Sequence, residues 1–245
     1  MVVMSSRLLV SLLCVLSFAA AAPRASAQDA SKDDGLVSGD YLRVGAGSIA
    51  PVRPQGSLRD WDRGSTFGVN WEGWYGPGST PGLVGFGIGG DFGRLPLNES
   101  EFLAHFTTPQ DASATGATAS SATVFTIETT VRVRIPTPFI MPSVSFGLGY
   151  LDFHPSTISY TAASGNGTTT QQHRRGAELF VGAGLDKHIV QRFGIFAEAL
   201  YSYGFTSLGQ GLTTPGGTCA RNGCDVLKNT TLGTLRGGLR LQMGK

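Results

Sequence analysis

The strongest candidate for catalytic chemistry is a histidine and a serine one residue apart, His154-Pro155-Ser156. A serine beside a histidine can act as nucleophile and base when a carboxylate orients the histidine. The next acid along the chain is Glu178, which lies beyond a long connector. We therefore interpret the pair as the polar start of a loop and assign no catalytic residue, with catalysis kept as the alternative.

The remaining histidines do not form a ligand set. His105, His173 and His188 lie in separate connectors, so we expect neither a metal nor a cofactor. His173 is followed by Arg174 and Arg175, and arginines bind phosphate through paired hydrogen bonds. We interpret this short basic run as a solvated strand end, with contact to phosphate groups such as those of lipopolysaccharide as the alternative.

Residues 1–27 have the features of a secretory signal peptide. Arg7 precedes an apolar run from Leu8 to Ala22, and Ala25-Ser26-Ala27 provides a cleavage site. Cleavage removes two arginines and no acids, so the formal charge of +2 becomes zero and nothing indicates nucleic acid as a partner.

Cys219 and Cys224 are then the remaining cysteines, and in an exported chain they predict a disulfide, with free thiols as the alternative.

The elements that carry these residues are strands. Val124 to Ile135 alternates strictly, with apolar residues on one face and Glu128, Arg132 and Arg134 on the other. A soluble sandwich would turn the charged face to water. An outer-membrane barrel would turn the apolar face to lipid and the charged face to the lumen.

The same alternation predicts eight strands. We place them near 41–50, 66–76, 83–93, 122–135, 141–153, 176–187, 194–206 and 231–243. The connectors 51–65, 94–121, 154–175 and 207–230 are long, whereas 76–82, 136–138 and 188–192 are short. Long extracellular loops alternating with short periplasmic turns are typical of an eight-stranded, up-and-down transmembrane β-barrel with four loops and three turns. Residues 107–123 and 161–172, rich in small polar residues, are predicted to be flexible.

The two faces of these strands can be assigned by parity, that is, by whether a residue occupies an odd or an even position along its strand. Five basic and five acidic residues share the inner face, which predicts a lumen filled by paired charges: Arg43, Glu72, Asp91, Glu128, Arg132, Arg134, Asp186, Glu198, Arg236 and Arg240. Thirty-five glycines, many on one face of a strand, would make room inside a narrow barrel. The opposite face is predicted to meet lipid through Phe67, Trp71, Phe86, Ile88, Phe125, Ile127, Val131, Val133, Ile135, Phe146, Tyr201, Tyr203, Leu239 and Leu241.

Two segments carry a family resemblance. The runs F-G-L-G-Y (146–150) and F-G-I-F-A-E-A-L-Y-S-Y (193–203) resemble strands of the small OmpA/OmpX-like outer-membrane barrels, often described as porin-family proteins. The resemblance covers about 41–243 and implies insertion by the barrel-assembly machinery. Members usually end on an aromatic residue, whereas this chain ends Leu241-Gln242-Met243-Gly244-Lys245. The His-x-Ser pair is similar to that of lipid A 3-O-deacylases, which are also eight-stranded barrels, although Thr157 stands where those enzymes usually have asparagine.

The sequence thus predicts a signal peptide (1–27), a short periplasmic segment (28–40) and an outer-membrane barrel (41–245) exported by the general secretion pathway of a Gram-negative bacterium. We expect a non-enzymatic protein with a plugged lumen, contacting outer-membrane lipid and lipopolysaccharide, with surface loops for the envelope or a partner. A lipid A-modifying enzyme and a small channel are the alternatives.

Overall fold

The computed structural model describes residues 39–52, 56–75, 83–106, 113–135, 137, 139–171, 173–190, 192–208 and 230–243. The predicted signal peptide, most of the predicted segment 28–40, and both Cys219 and Cys224 lie outside these residues. Cleavage and the disulfide therefore stay predictions. The described part of the predicted N-terminal segment, Gly39 and Asp40, already belongs to the first strand.

Eleven strands occur in the described residues, and eight of them close into a barrel. In chain order they are β1 (Gly39–Pro51), β2 (Gly64–Tyr75), β3 (Val84–Leu95), β4 (Ala114–Ala119), β5 (Ala122–Arg134), β6 (Met141–His154), β7 (Thr157–Ala162), β8 (Gly165–Thr170), β9 (Arg174–Val190), β10 (Phe193–Leu208) and β11 (Thr230–Gln242). The wall follows the order β1-β2-β3-β5-β6-β9-β10-β11, and β11 pairs with β1. The predicted eight-stranded antiparallel barrel is confirmed.

The closing pair runs without a register shift from Tyr41 opposite Gln242 to Pro51 opposite Leu232. Every wall strand therefore has an antiparallel partner on both sides, so the barrel has no free sheet edge. No helix in the described part of the chain is long and apolar enough to cross a membrane.

Glycines on the inner face let large side chains fill the interior. A Cβ added at Gly68 would collide with Asp91 and with the Arg236 guanidinium. One added at Gly85 would lie 2.7 Å from the indole of Trp74. Real Cβ atoms do not approach other atoms this closely. A residue larger than glycine would therefore clash at these positions, because a neighbouring side chain occupies the space.

The long connectors at one end of the wall, here called the loop end, form a folded head. Strands β4, β7 and β8 make a three-stranded sheet, joined by a 3₁₀ helix (Gly56–Asp60) and by α1 (Glu99–His105). The prediction of flexibility for 107–123 and 161–172 is therefore wrong where β4, the start of β5 and β8 occupy those segments. Because neither sheet nor helix was visible in the local pattern, these elements were missed.

A hydrophobic cluster joins the head to the barrel. Trp61, Phe102 and Ile158 of the head pack with residues from the loop ends of the wall strands; the wall members are Ile49, Leu95, Ala122, Val124, Leu151, Phe153 and Leu232. Burying one large apolar side chain stabilises a fold by about 2 kcal/mol. The head is therefore packed onto the barrel mouth as part of one core.

Candidate functional site

The lumen of the barrel is filled by charged side chains. All ten charged residues that parity assigned to the inner face are buried in the structure. Their positions follow from the pleat, because alternate residues of a strand point to opposite faces. Exposure is lowest for Asp186, at 0 %, and highest for Asp91, at 8 %.

Glu72 and Glu198 organise the centre of this lumen. Arg43 Nη1 donates to Glu72 Oε1 at 3.1 Å, and Arg132 Nε donates to the same oxygen at 3.0 Å. The indole of Trp74 donates to the second oxygen at 3.2 Å. Since each acid meets several donors, the attraction offsets part of the cost of burying it.

Glu198 joins the opposite side of the barrel to the same group. Arg132 Nη2 donates to Glu198 Oε2 at 2.7 Å, Arg43 Nη2 lies 3.2 Å from that oxygen, and Arg236 donates to Oε1. Arg236 also donates to Asp91 and lies 3.6 Å from Glu128. Wall strands on opposite sides of the barrel are thereby cross-linked through side chains across the lumen.

The end of the wall opposite the head is here called the turn end. Toward this end, two further arginines stack on aromatic rings. The Arg134 guanidinium carbon lies 3.3 Å from the centroid of the Trp74 ring, and that of Arg240 lies 4.7 Å from the Tyr41 ring. Asp186 faces this group, with Oδ2 3.8 Å from Arg134 Nε. Arg134 and Arg240 therefore both contact aromatic rings in addition to any charged neighbours.

Two further inner-face residues were missed by the sequence analysis. Arg174 and Glu178 are buried at 4 % and 1 % exposure, and Glu178 accepts a hydrogen bond from Ser202. Both have the same parity on β9 as Asp186, so the alternation could have found them. The predicted surface cluster His173-Arg174-Arg175 is accordingly wrong for Arg174, which points into the barrel.

The His-x-Ser pair does not assemble with an acid. His154 is on the outer face of the wall and packs on the His173 ring at 4.8 Å between centroids, while His173 is bound to Asp152. The Ser156 hydroxyl donates to the carbonyl of Ser120. Glu178 is inside the barrel. In the described residues, the three groups of a deacylase-like triad therefore lie in three different environments.

The side chain of Asp60 contacts residues from two other loop segments of the head. Its carboxylate accepts a hydrogen bond from Gln171, and His105 Nε2 lies 2.9 Å from Oδ1. Gln171 in turn accepts a hydrogen bond from the Trp61 indole at 2.7 Å. Burial raises the pKa of Asp60 above its ordinary value, and the neighbouring His105 and Gln171 oppose this rise.

The outer face of the wall is apolar and exposed. Phe86 and Leu239 are 53 % and 61 % exposed, and the fourteen residues assigned to this face all lie on it, four of them partly covered: Val131, Ile135, Tyr203 and Leu241. Soluble monomers rarely expose an apolar surface this extensive. A bilayer requires a closed barrel with an apolar exterior, and a polar interior is typical of outer-membrane barrels.

The chain is therefore a small, eight-stranded β-barrel of the outer-membrane type. No protein-family profile matches the sequence, and no curated protein matches it significantly.

Solved structures with a similar fold include three outer-membrane or surface proteins. Neisserial surface protein A is 14% identical over 84% of this chain and 98% of its own, with a TM-score of 0.44. The attachment invasion locus protein Ail of Yersinia pestis is 15% identical over 83% and 99%, with a TM-score of 0.39. A major outer membrane protein from Thermus thermophilus is 17% identical over 83% and 99%, with a TM-score of 0.45. At these identities the likeness concerns the fold alone.

Proposed function

We propose that this protein is a non-enzymatic barrel of the bacterial outer membrane, with a plugged lumen, that presents its folded head at the cell surface. The observation that carries the proposal is the network of Glu72 and Glu198 with Arg43, Arg132 and Arg236, which crosses the lumen. Eight strands enclose only enough space for side chains, so charges that bind one another leave no wide path for solutes.

The two ends of the barrel support the orientation. The head occupies the end with long connectors, which in outer-membrane barrels is extracellular. Export through the general secretion pathway would follow from the predicted signal peptide, and insertion by the barrel-assembly machinery would follow from the barrel. The wall would contact outer-membrane lipid, and the head and wall rim would meet lipopolysaccharide or a partner. Rigid scaffolds commonly carry binding functions on such connecting segments.

Single-channel recording tests the plugged lumen. The purified protein in a planar bilayer should give no steady conductance, whereas a general porin added to the same membrane, as the positive control, should conduct. Steady conductance by this protein would contradict the plug and favour the small channel.

Cell fractionation and gel migration test the location. The protein should be recovered with the outer membrane and should migrate differently before and after boiling, because folded barrels resist detergent unless heated. Recovery from the soluble periplasmic fraction would contradict the proposed location.

A further inference from the structure

Two arginines at the turn end of the lumen are buried with unused hydrogen-bond donors. Arg134 is 3 % exposed and Arg240 is 1 % exposed. Among the described residues, nothing accepts a hydrogen bond from Nε or Nη2 of Arg134, or from Nη1 or Nη2 of Arg240. A buried guanidinium with free N–H groups is strongly unfavourable unless an acceptor reaches it.

The aromatic rings beside these arginines hold them in place without satisfying them. The Tyr41 ring lies near both, with its centroid 5.5 Å from Arg134 Cζ and 4.7 Å from Arg240 Cζ. Trp74 covers Arg134 at 3.3 Å. Stacking on a ring face stabilises a cation but leaves the edge of the guanidinium, where its N–H groups point, available to an acceptor.

The carboxylates nearby do not balance this charge. Asp186 Oδ2 is 3.8 Å from Arg134 Nε, and neither oxygen of Asp186 accepts a hydrogen bond from the described residues. Its other oxygen is 3.6 Å from Arg43, which also contacts Glu72 and Glu198. The terminal nitrogens of Arg240 meet no acceptor among the described carboxylates. The turn end therefore has two guanidinium groups beside Asp186, while Glu72, the next carboxylate near Arg134, is already bound by Arg43, Arg132 and the Trp74 indole.

We propose that a small monovalent anion, of the size of chloride, binds at the turn end of the lumen between the guanidinium groups of Arg134 and Arg240. It would accept charge-assisted hydrogen bonds from the unused N–H groups and balance the second positive charge. This inference goes beyond the proposed function, because it adds a bound ion to a plug otherwise made of side chains.

Thermal unfolding of the purified, detergent-solubilised protein tests the site. At constant ionic strength, the melting temperature in sodium chloride should exceed that in sodium gluconate by about 5 °C, because an anion that binds only the folded state stabilises it. Gluconate is too large for a buried site. The variant R240Q should lose most of this difference. R94Q should keep it, because Arg94 is exposed on the outer face of β3.

A second measurement tests the anion site even if R240Q does not fold. Crystals of the unaltered protein soaked in sodium bromide should show an anomalous peak in contact with both Arg134 and Arg240. Equal melting temperatures in chloride and gluconate, an unchanged difference in R240Q, or the absence of a bromide peak would each overturn the inference. Conductance tests the plugged lumen separately. A barrel that does not conduct and whose melting temperature does not depend on chloride would therefore refute only the bound ion.

Discussion

At the scale of single residues, the lumen depends on acids that each serve several arginines. Glu198 contacts Arg43, Arg132 and Arg236, which come from three different wall strands. Removing an acid of this kind leaves buried positive charges without compensation, which costs more than the intact pair ever contributed. The centre of the lumen should therefore be far more sensitive to substitution than the exposed charges of the head.

The variant E198Q tests this sensitivity. The free energy of unfolding should fall by about 3 kcal/mol or more, because a neutral amide cannot balance three buried guanidinium groups. Urea unfolding in detergent, followed by gel migration without boiling, measures the change. E101Q is the matched control, since Glu101 is exposed on α1, and it should change the stability by about 0.5 kcal/mol or less. An equal effect of both variants would contradict the network.

At the scale of elements, the buried side chain of Asp60 links parts of the head that also share the apolar cluster. Asp60 of the 3₁₀ helix meets Gln171, beyond β8, and His105 of α1. Because burial raises the pKa of Asp60, the folded head holds a proton more tightly than the unfolded chain does. Stability contributed by this residue is thus present at low pH and is lost as the pH rises through the raised pKa.

Hydrogen exchange in the head measures this dependence. Once corrected for the intrinsic effect of pH on exchange, the protection of amides in α1 and β7 should decrease as the pH rises above 3.8, the ordinary pKa of aspartate. The variant D60N cannot titrate and should show a flatter profile over the same range. The wall strands β1 and β11 are the internal control, because they lie in the barrel. Parallel profiles for D60N and the unaltered protein would contradict the role of Asp60.

At the scale of the whole molecule, the barrel and the head differ in how they depend on each other. Each of the eight wall strands pairs only with other wall strands, and β4 pairs with β7, which pairs with β8. The backbone hydrogen bonds of the wall are therefore complete without the head. The head, in contrast, shares its apolar cluster with the barrel mouth.

Replacing residues 157–170 with a short glycine-serine linker tests this asymmetry. The barrel should still fold and migrate as a heat-modifiable protein, because no wall pairing is removed. The rest of the head should become sensitive to protease, since β4 loses its partner and Phe106 loses its contact with Tyr160. A matched linker of equal length in place of 137–140 at the turn end should leave the head resistant. Failure of the β7–β8 replacement to form a heat-modifiable species would contradict the independence of the barrel.

The sequence alone determined the barrel, because side chains alternate between the two faces of a strand. The contrast between apolar and charged faces is therefore visible as alternation in the sequence. The alternation of Val124–Ile135 and its counterparts assigned the inner and outer faces of the wall, and even Arg174 and Glu178 could have been placed by the same parity. Only the tertiary structure decided which charges meet, since Arg236 and Asp91 are far apart in the chain and come together through closure. It also decided the head: β4, β7, β8 and α1 are short, weakly patterned segments stabilised by one another and by the barrel mouth.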